Sequence, residues 1–218
     1  MRVYHFVNEQ YGIEDLQRRR LKIAIINQLN DPFELFAVTL TDPTIRRAFR
    51  KMKDELSRQR GLLCFSRDWH NPVQWSHYAD NHRGLCLGFD VPDDAVGPVT
   101  YSERRIAAKL AQLKYPHLLD KAAAVSLLFT KFSHWAYENE VRAFVTLQNP
   151  DPENGLYFAE FSDRLTLRCV IVGATSTITR AQLRVALGRL VPSVSAWKAR
   201  LAFRSFRVLR QNNERLWV

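Results

Sequence analysis

The chain has 218 residues, 46% of them hydrophobic, and a formal net charge of +10 at pH 7. This length supports one good hydrophobic core and argues against two large independent domains, so we expect a single domain over residues 1–218. The charge favours an anionic partner such as nucleic acid, a phosphorylated cofactor or an acidic surface, and no apolar run approaches the roughly 20 residues that span a bilayer.

The predicted elements alternate between strands and helices. In chain order we expect a strand at 2–7, one or two helical turns at 12–20, a strand at 21–26, a turn at 30–34, a helix at 43–60, strands at 61–65, 84–91 and 98–102, a helix at about 118–137, strands at 138–147, 156–161 and 165–173, a helix at 179–190 and a last strand at 200–209. Together they predict an α+β domain with a mixed sheet core and flanking helices.

The cysteines bear on the cellular compartment. Cys64, Cys86 and Cys169 show no CxxC spacing, and no apolar signal segment leads the sequence. This usage is typical of a reduced protein, so we expect cytoplasmic localisation.

The common nucleotide and metal motifs are missing from the sequence. It has neither GxGxxG nor GxxxxGK[ST], so a phosphate would be held by side chains and helix ends. Ligand types suited to zinc do cluster in one segment: Cys64, Asp68, His70, His77, Asp80, His82 and Cys86. Their spacing matches no HExxH or paired-Cys pattern. We expect no metal, and zinc remains an alternative.

Three fragments place polar and aromatic residues beside predicted strands: YHF at 4–6, CFS at 64–66 followed by WSHY at 75–78, and YENEVRAF at 137–144. Side chains alternate between the two faces of a strand, so Glu138, Glu140 and Arg142 would share one face. Val141 and Ala143 would then face the core. The pattern predicts that the charged set lies at the opening of a pocket.

These residues carry a resemblance to known families. The fragments that carry it are NDPFE (30–34), FS (65–66), WSHYADNHRG (75–84) and W-x-YE-x-E-x-R (135–142). They resemble a widespread bacterial family known as a domain of unknown function, over most of residues 1–147. The order of a His in the first strand, then Ser and Tyr, then a Glu opening a later strand is also similar to the ADP-ribosyltransferase fold, with its His-Tyr-Glu or Arg-Ser-Glu signatures.

The ADP-ribosyltransferase resemblance implies NAD as a co-substrate. Cleavage of the nicotinamide–ribose bond builds positive charge on the anomeric carbon, and a nearby carboxylate stabilises that charge. The resemblance points to Glu140 for this role, to Glu138 for orienting the acceptor, to Ser66 for orienting Glu140, and to Tyr78 for stacking on nicotinamide.

Four further residues are the expected NAD-binding groups: His5, Trp75, Arg83 and Arg142. His5 would bond a ribose hydroxyl, Trp75 would wall the pocket, and Arg142 or Arg83 would contact the pyrophosphate. Each candidate also has a structural interpretation. His5 and the aromatic residues would then be core packing, and the charged residues of 138–142 a solvated strand face whose ion pair contributes about 0 to 1 kcal/mol.

The basic charge is concentrated toward the C-terminus. Residues 163–218 hold eleven Lys and Arg against two Asp and Glu, and the helix at 43–60 is also basic. We expect the nucleic-acid-binding residues to be Arg46, Arg50, Lys53, Arg200 and Arg204, the last two sharing one strand face. Such a surface attracts RNA or DNA in a salt-dependent manner.

Two hypotheses follow for the function. The first is an ADP-ribosyltransferase-like enzyme that spends NAD to modify a macromolecule, with nucleic acid the favoured acceptor, in a bacterial toxin or antiphage role with a neutralising or sensor partner protein. An NAD glycohydrolase that uses water as acceptor is a variant of it. The second is a non-catalytic module of a defence system that binds nucleic acid or protein.

Overall fold

A nine-stranded mixed sheet forms the framework of the protein in the computed structural model, which describes residues 1–34, 36–106 and 126–217. The strands are β1 (Arg2–Val7), β2 (Arg20–Lys22), β3 (Ala24–Ile25), β4 (Arg60–Ser66), β5 (Leu85–Asp90), β6 (Gly97–Pro98), β7 (Thr100–Ser102), β8 (Thr130–Phe132), β9 (Glu140–Thr146), β10 (Phe158–Glu160), β11 (Thr166–Val172), β12 (Ser195–Leu201) and β13 (Val208–Arg210). The helices are α1 (Glu9–Arg18), α2 (Pro43–Gln59), α3 (Pro72–Tyr78) and α4 (Arg180–Leu187), with 3-10 helices at Ile26–Gln28, Asp93–Ala95, Ser133–Glu138, Gly188–Leu190 and Glu214–Leu216.

The strand order of the sheet is β13-β12-β11-β5-β1-β4-β9-β6, and β3 pairs with β4 outside this path. Strands β11 and β12 run parallel, because the segment that contains α4 crosses over between them. The central strand β1 pairs antiparallel with β5 on one side and with β4 on the other. The expected α+β fold with a mixed sheet and flanking helices is confirmed.

Helices pack against both faces of the sheet. Leu16 of α1 and Leu183 of α4 belong to the same buried cluster as Val3 of β1. On the opposite face, Trp75 of α3 packs edge-on against Phe6 with ring centroids 5.2 Å apart. The alternation of side chains along β1 therefore serves two apolar layers at once.

Capping side chains set the start of the first two helices. Asn8 accepts a hydrogen bond from Tyr11 N at 2.9 Å, so α1 begins three residues before the expected start of 12. The carboxylate of Asp42 accepts from Thr44 N at 2.6 Å, which begins α2 at Pro43 as expected.

The structure departs from several predicted elements in type or in bounds. Of the helix expected at 118–137, residues 118–125 lie outside the described part, and 126–128 are helical as expected. The rest holds β8, which pairs in parallel with β7, and the 3-10 helix Ser133–Glu138. The strand expected at 138–147 begins only at Glu140, because Asn139 is left-handed with φ 45° and ends that 3-10 helix.

The strand expected at 200–209 is a hairpin. Leu201 of β12 pairs with Val208 of β13, and Ala202 N donates to Arg207 O at 2.9 Å across the connecting residues 202–207. Arg200 therefore lies in β12 and Arg204 in the loop, which corrects the expectation that both share one strand face.

Within the described ranges, no helix is both long and apolar enough to span a membrane.

Asp15 makes the stability of the fold dependent on pH. Burial, reinforced by Glu14, raises the pKa of this α1 carboxyl to about 7. Since an unfolded Asp has a pKa of about 3.9, the folded state keeps a proton that the unfolded state loses. The free energy of unfolding therefore falls as the pH rises from about 4 to 7.

The substitution Asp15→Asn should remove this pH dependence. We expect the variant to be more stable than the parent by about 1 to 3 kcal/mol at pH 8 and nearly equal to it at pH 4.5, as measured by urea denaturation. The exposed substitution Asp163→Asn is the control and should change neither value. Equal effects of Asp15→Asn at the two pH values would contradict the assignment.

Candidate functional site

The candidate site lies where β1, β4 and β9 are neighbours in the sheet. Tyr4 pairs with Ser66, and Ser66 pairs with Glu140, so these three side chains project from the same face in one row. The register of the strands thus brings together residues that are 62 and 74 positions apart in the sequence. The three fragments predicted to form the pocket, at 4–6, 64–66 and 137–144, are therefore neighbours in the folded protein.

A cavity of about 170 Å³ opens beside this row, and we call it the Tyr78 cavity. Five of the sequence-predicted site residues are among those that line it: His5, Ser66, Tyr78, Glu138 and Glu140. Aromatic side chains form part of its wall. The carboxylates and the aromatic hydroxyl therefore share one cavity, although they come from three elements.

Arg142 is the centre of a buried ion cluster that also contains Glu34, Lys131, Glu138 and Glu140. Its side chain has 0% exposure. Arg142 Nε and Nη2 donate to the two oxygens of Glu140 at 2.9 and 3.0 Å, and Nη1 donates to Glu34 Oε1 at 2.6 Å. Further bonds to Glu34 Oε2 and to the Leu128 carbonyl use the remaining donors of the guanidinium.

Lys131 joins the two carboxylates of the predicted motif. Its Nζ lies 2.7 Å from Glu138 Oε2 and 2.9 Å from Glu140 Oε2. The other oxygen of Glu138 accepts a very short hydrogen bond from the Tyr78 hydroxyl. The ion cluster thus contains three carboxylates and two cations in direct contact, which leaves one negative charge in excess.

The pKa values of the two glutamates move in opposite directions. Burial opposes ionisation of Glu140, but Arg142 and Lys131 prevail and lower its pKa to about 2. For Glu138 burial prevails over Lys131 and raises the pKa above the ordinary value of 4.5. Neighbouring carboxyl groups with opposite shifts are typical of sites where one group exchanges a proton and the other stays ionised.

Tyr78 is held at the cavity by both neighbours of its hydroxyl. Asn30 Nδ2 donates to this oxygen at 2.8 Å, while the hydroxyl itself donates to Glu138. Burial and the charge of Glu138 raise the pKa of Tyr78 above its usual range, so the phenol stays protonated. A protonated phenol in this position is a fixed hydrogen-bond donor.

Ser66 and His5, the other two sequence-predicted residues in the lining, make structural contacts. Ser66 Oγ donates to Asp68 O at 2.9 Å and accepts from Gln74 Nε2 at 3.1 Å. No bond from Ser66 to Glu140 occurs among the contacts of the described residues, contrary to the predicted orienting role. His5 Nδ1 lies 3.1 Å from Cys64 O, and burial lowers the pKa of His5, which keeps the ring neutral.

Three expected NAD-binding residues are not available to the cavity. Trp75 has 0% exposure and donates its indole N–H to Trp69 O, so it is core packing. Arg83 is exposed and bonded to Asp80. Arg142 has every donor occupied inside the ion cluster and cannot reach a pyrophosphate. The charged set of 138–142 was expected at the opening of a pocket, and Glu138 and Glu140 do line the Tyr78 cavity. Glu138, Glu140 and Arg142 are all buried, which contradicts the alternative of a solvated strand face.

The predicted nucleic-acid-binding residues divide into free and engaged groups. Arg50 and Arg204 are exposed. Arg46 donates to Leu40 O and Thr41 O, and Lys53 donates to Glu34 O. Arg200 lies over the ring of Phe203 with 4.9 Å between guanidinium carbon and ring centroid.

The zinc alternative finds no support in the side-chain positions. The ring nitrogens of His70 and His77 contact Val208 O and the Tyr137 hydroxyl, respectively, while His82 Nε2 lies near Ser76 Oγ. Among the residues with described coordinates, no three His, Cys, Asp or Glu side chains converge on a point that would suit a metal ion.

A second cavity, of about 300 Å³, is lined by residues around Lys131, and we call it the Phe33 cavity. Its lining includes Phe33, Phe36, Arg104 and Arg105. Lys131 also lines the Tyr78 cavity. The two cavities therefore share the cation that bridges Glu138 and Glu140.

Sequence reasoning missed three residues of this site: Asn30, Glu34 and Lys131. The first two belong to NDPFE, which the structure confirms as a turn but whose polar ends reach the cavity and the ion cluster. Lys131 fell inside a predicted helix. The signal that could have revealed them is charge balance, since buried carboxylates require nearby cations.

Removal of the cation at position 142 should destabilise the fold strongly. We expect Arg142→Met to lower the free energy of unfolding by about 3 to 5 kcal/mol, because Glu34 and Glu140 would remain buried without their partner. The control Arg168→Met removes an exposed pair with Asp90 and should cost less than about 1 kcal/mol.

The triple variant Glu34→Gln, Glu140→Gln, Arg142→Met should recover much of the loss, because it removes the charges together. Urea denaturation gives the free energy of unfolding of the parent and of the three variants. Similar small effects of Arg142→Met and Arg168→Met would contradict the central role of Arg142.

Comparison with known families bears directly on this region. Comparisons with curated proteins and with solved structures give no match. A family model described as "Protein of unknown function (DUF2971)" matches residues 74–143, a narrower range than the expected 1–147. The matched range contains Tyr78, Lys131, Glu138, Glu140 and Arg142. The expected resemblance to a domain-of-unknown-function family is thus confirmed, and the segment that matches this model supplies most of the ion cluster.

Proposed function

We propose that this protein is an ADP-ribosyltransferase-like enzyme that cleaves the nicotinamide–ribose bond of NAD and transfers ADP-ribose to a macromolecule, with nucleic acid the favoured acceptor. The observation that carries the proposal is the excess carboxylate at the Tyr78 cavity. Glu138 accepts hydrogen bonds from Tyr78 and from Lys131, and it shares Lys131 with Glu140. A negative charge without its own cation is complementary to a positively charged group.

NAD provides such a group on both sides of the reacting bond. Its nicotinamide ring is a planar cation before cleavage, and the ribose acquires positive charge during cleavage. The aromatic rings of Tyr4, Phe6 and Tyr78 line the cavity and suit a flat cationic ring. The cavity volume of about 170 Å³ fits a group of this size and not the whole dinucleotide.

The proposed step breaks the bond between the ribose anomeric carbon and the nicotinamide nitrogen. The electron pair of the bond leaves with nicotinamide, which becomes neutral, and the ribose becomes an oxocarbenium-like cation. The Glu138 carboxylate stabilises this cation. The acceptor then attacks the anomeric carbon and gives up its proton, for which Glu138 is a suitable base because burial raises its pKa.

The roles of the two glutamates are exchanged relative to the sequence hypothesis. Both oxygens of Glu140 are paired with cations, and its pKa of about 2 makes it a poor base. Its function in the proposal is to position Lys131, and Lys131 in turn positions Glu138. Tyr78, as a fixed donor, orients the second oxygen of Glu138.

The Phe33 cavity supports a site for the remaining part of NAD. Arg104 and Arg105 offer guanidinium groups to phosphates, and Phe33 and Phe36 offer rings to the adenine. Lys131 lies at the lining of both cavities, so a ligand that extends from one to the other would pass the ion cluster. In this proposal Arg104 and Arg105 take the role expected of Arg83.

The proposed setting is the one implied by the resemblance, a bacterial toxin or antiphage system with a neutralising or sensor partner protein. Cytoplasmic localisation belongs to the same proposal. It is supported by Cys64, Cys86 and Cys169, which are all free thiols, two of them buried.

Nicotinamide release from NAD tests the proposal directly. We expect release by the parent protein, in water or with single-stranded RNA as acceptor, and a loss of about 100-fold or more in kcat for Glu138→Gln, because the amide carries no charge. Glu160→Gln replaces an exposed glutamate at the end of β10 and is the matched control, which should retain full activity.

The stability of each variant, measured by thermal denaturation, separates loss of chemistry from loss of fold. A parent protein that releases no nicotinamide under either condition would refute the enzyme proposal. Full activity of folded Glu138→Gln would refute the role of Glu138.

The pH profile provides a second test. If Glu138 must be ionised, log(kcat/KM) should fall on the acid side with an apparent pKa above 4.5. Lys131→Met removes the cation that lowers the pKa of Glu138, so the acid limb should move to still higher pH. The exposed Lys51→Met should leave the limb unchanged. An unshifted limb in Lys131→Met would contradict the assigned electrostatics.

A second candidate function is a non-catalytic module that binds nucleic acid or protein. The observation that favours it is a groove on α2 lined by Arg47, Arg50, Lys51 and Arg58 together with two acids. Salt-dependent binding of RNA that persists in Glu138→Gln, in a protein that releases no nicotinamide, would support this function instead.

A further inference from the structure

The loop between β12 and β13 presents two phenylalanine rings to solvent. Phe203 is 91% exposed and Phe206 is 98% exposed. The loop is not a free tail, because the Leu201–Val208 pair and the bond from Ala202 N to Arg207 O close it as a hairpin. We call residues 202–207 the hairpin tip. Two large apolar side chains held in this way on one tip point to an interaction surface.

The hairpin is also strongly basic. Residues 195–213 contain five Lys and Arg and no Asp or Glu. Arg204 and Arg207 directly follow the two exposed rings, and Arg200 lies over the ring of Phe203. The nearest acid contact is Asp68, 3.9 Å from Arg207, between side chains that are both well exposed, so it offsets little of the charge.

We propose that the hairpin tip binds single-stranded nucleic acid. Phe203 and Phe206 would stack on two unpaired bases, and Arg204 and Arg207 would contact the phosphates beside those bases. Stacking on exposed rings accepts any base, so this surface selects for single strands and only weakly for sequence. The proposal does not depend on the cleavage of NAD.

The order of residues at the tip favours nucleic acid over a lipid surface. An anionic membrane would also attract the arginines, but the two rings are separated by Arg204 and Ser205, which would have to accompany them into the apolar layer. Alternation of one ring with one guanidinium matches the alternation of base and phosphate along a strand. All four basic residues at 200–210 are arginine, whose planar group binds phosphate in a bidentate manner.

The base of the hairpin contacts the segment between β4 and α3. Val208 N donates to His70 O at 2.8 Å, and His70 Nδ1 lies 2.6 Å from Val208 O. The segment that contains His70 follows Ser66, which lines the Tyr78 cavity. The hairpin is therefore fixed to a segment of which one end, Ser66, lines the candidate site.

Fluorescence anisotropy with a fluorescein-labelled 20-nucleotide single-stranded RNA of mixed sequence tests the proposal. We expect Phe203→Ala/Phe206→Ala to weaken binding on the order of tenfold for each ring, with little change in the dependence on salt. Arg204→Gln/Arg207→Gln should instead reduce the slope of log K against log salt by about 1.4, because two phosphate contacts are lost.

Matched controls show whether location matters. Tyr11→Ala removes an aromatic ring that is 56% exposed on α1, and Arg184→Gln/Arg189→Gln removes the same charge from exposed positions on α4 and just after it. Each control should change the affinity less than about threefold at 150 mM salt, where exposed charges more than about 8 Å apart are screened. The mutated side chains are exposed, so all variants should keep the parent melting temperature.

Four outcomes would overturn the proposal. They are no binding of RNA by the parent protein, unchanged affinity in Phe203→Ala/Phe206→Ala, an equal loss in Arg184→Gln/Arg189→Gln, and binding to phosphatidylserine vesicles that depends on the two rings while RNA binding does not. The last result would identify a membrane surface as the partner. Nicotinamide release is measured separately, so its presence or absence decides the enzyme proposal and leaves this one unaffected.

Discussion

The contact of Arg142 with Glu34 and Glu140 is the interaction on which the candidate site depends. Burial of an ion carries a penalty of several kcal/mol even after the surroundings relax. Arg142 is tolerated inside the protein because all of its donors have acceptors, four of them carboxylate oxygens at 2.6 to 3.4 Å. The same contact attaches the turn at 30–34 to β9. Since Asn30 belongs to that turn, the hydrogen bond of Asn30 to Tyr78 also depends on it.

The ion cluster has unequal charge, with three carboxylates against two cations. Two cations stabilise Glu34 and Glu140 well, and Glu138 receives only a share of Lys131. Burial raises the pKa of Glu138, whereas Arg142 and Lys131 lower the pKa of its neighbour Glu140. A fully compensated cluster would hold the fold as well but would present no net charge to a ligand, and the enzyme proposal rests on this difference.

The two proposed functional surfaces meet along one part of the chain. The apolar layer that contains Phe6 and Trp75 also contains Val208 at the base of the hairpin, and Tyr78 packs against it from the cavity side. Trp75, which the sequence analysis placed in the wall of the NAD pocket, is thus a buried member of this apolar layer. A nucleic acid at the tip and a nucleotide in the cavity would thus be bound on either side of this apolar layer, which would suit a nucleic acid as the proposed acceptor of ADP-ribose.

The sequence by itself determined the local features: the start of α2 at its Asp42 cap, the turn at NDPFE, the fold class and the motif that matches a known family over 74–143. Alternation along β9 correctly predicted that Glu140 and Arg142 share a face, but alternation does not say which face is covered. Only the tertiary structure decided which face of β9 is buried, because burial depends on what packs above the strand. The covering elements are β8 and the 3-10 helix at Ser133–Glu138, and they come from a segment where sequence periodicity predicted a different element. The tertiary structure also decided that Lys131 pairs with Glu138 and Glu140 and that Glu34 pairs with Arg142. Ion pairs between residues far apart in the sequence produce no periodic pattern from which they could be predicted.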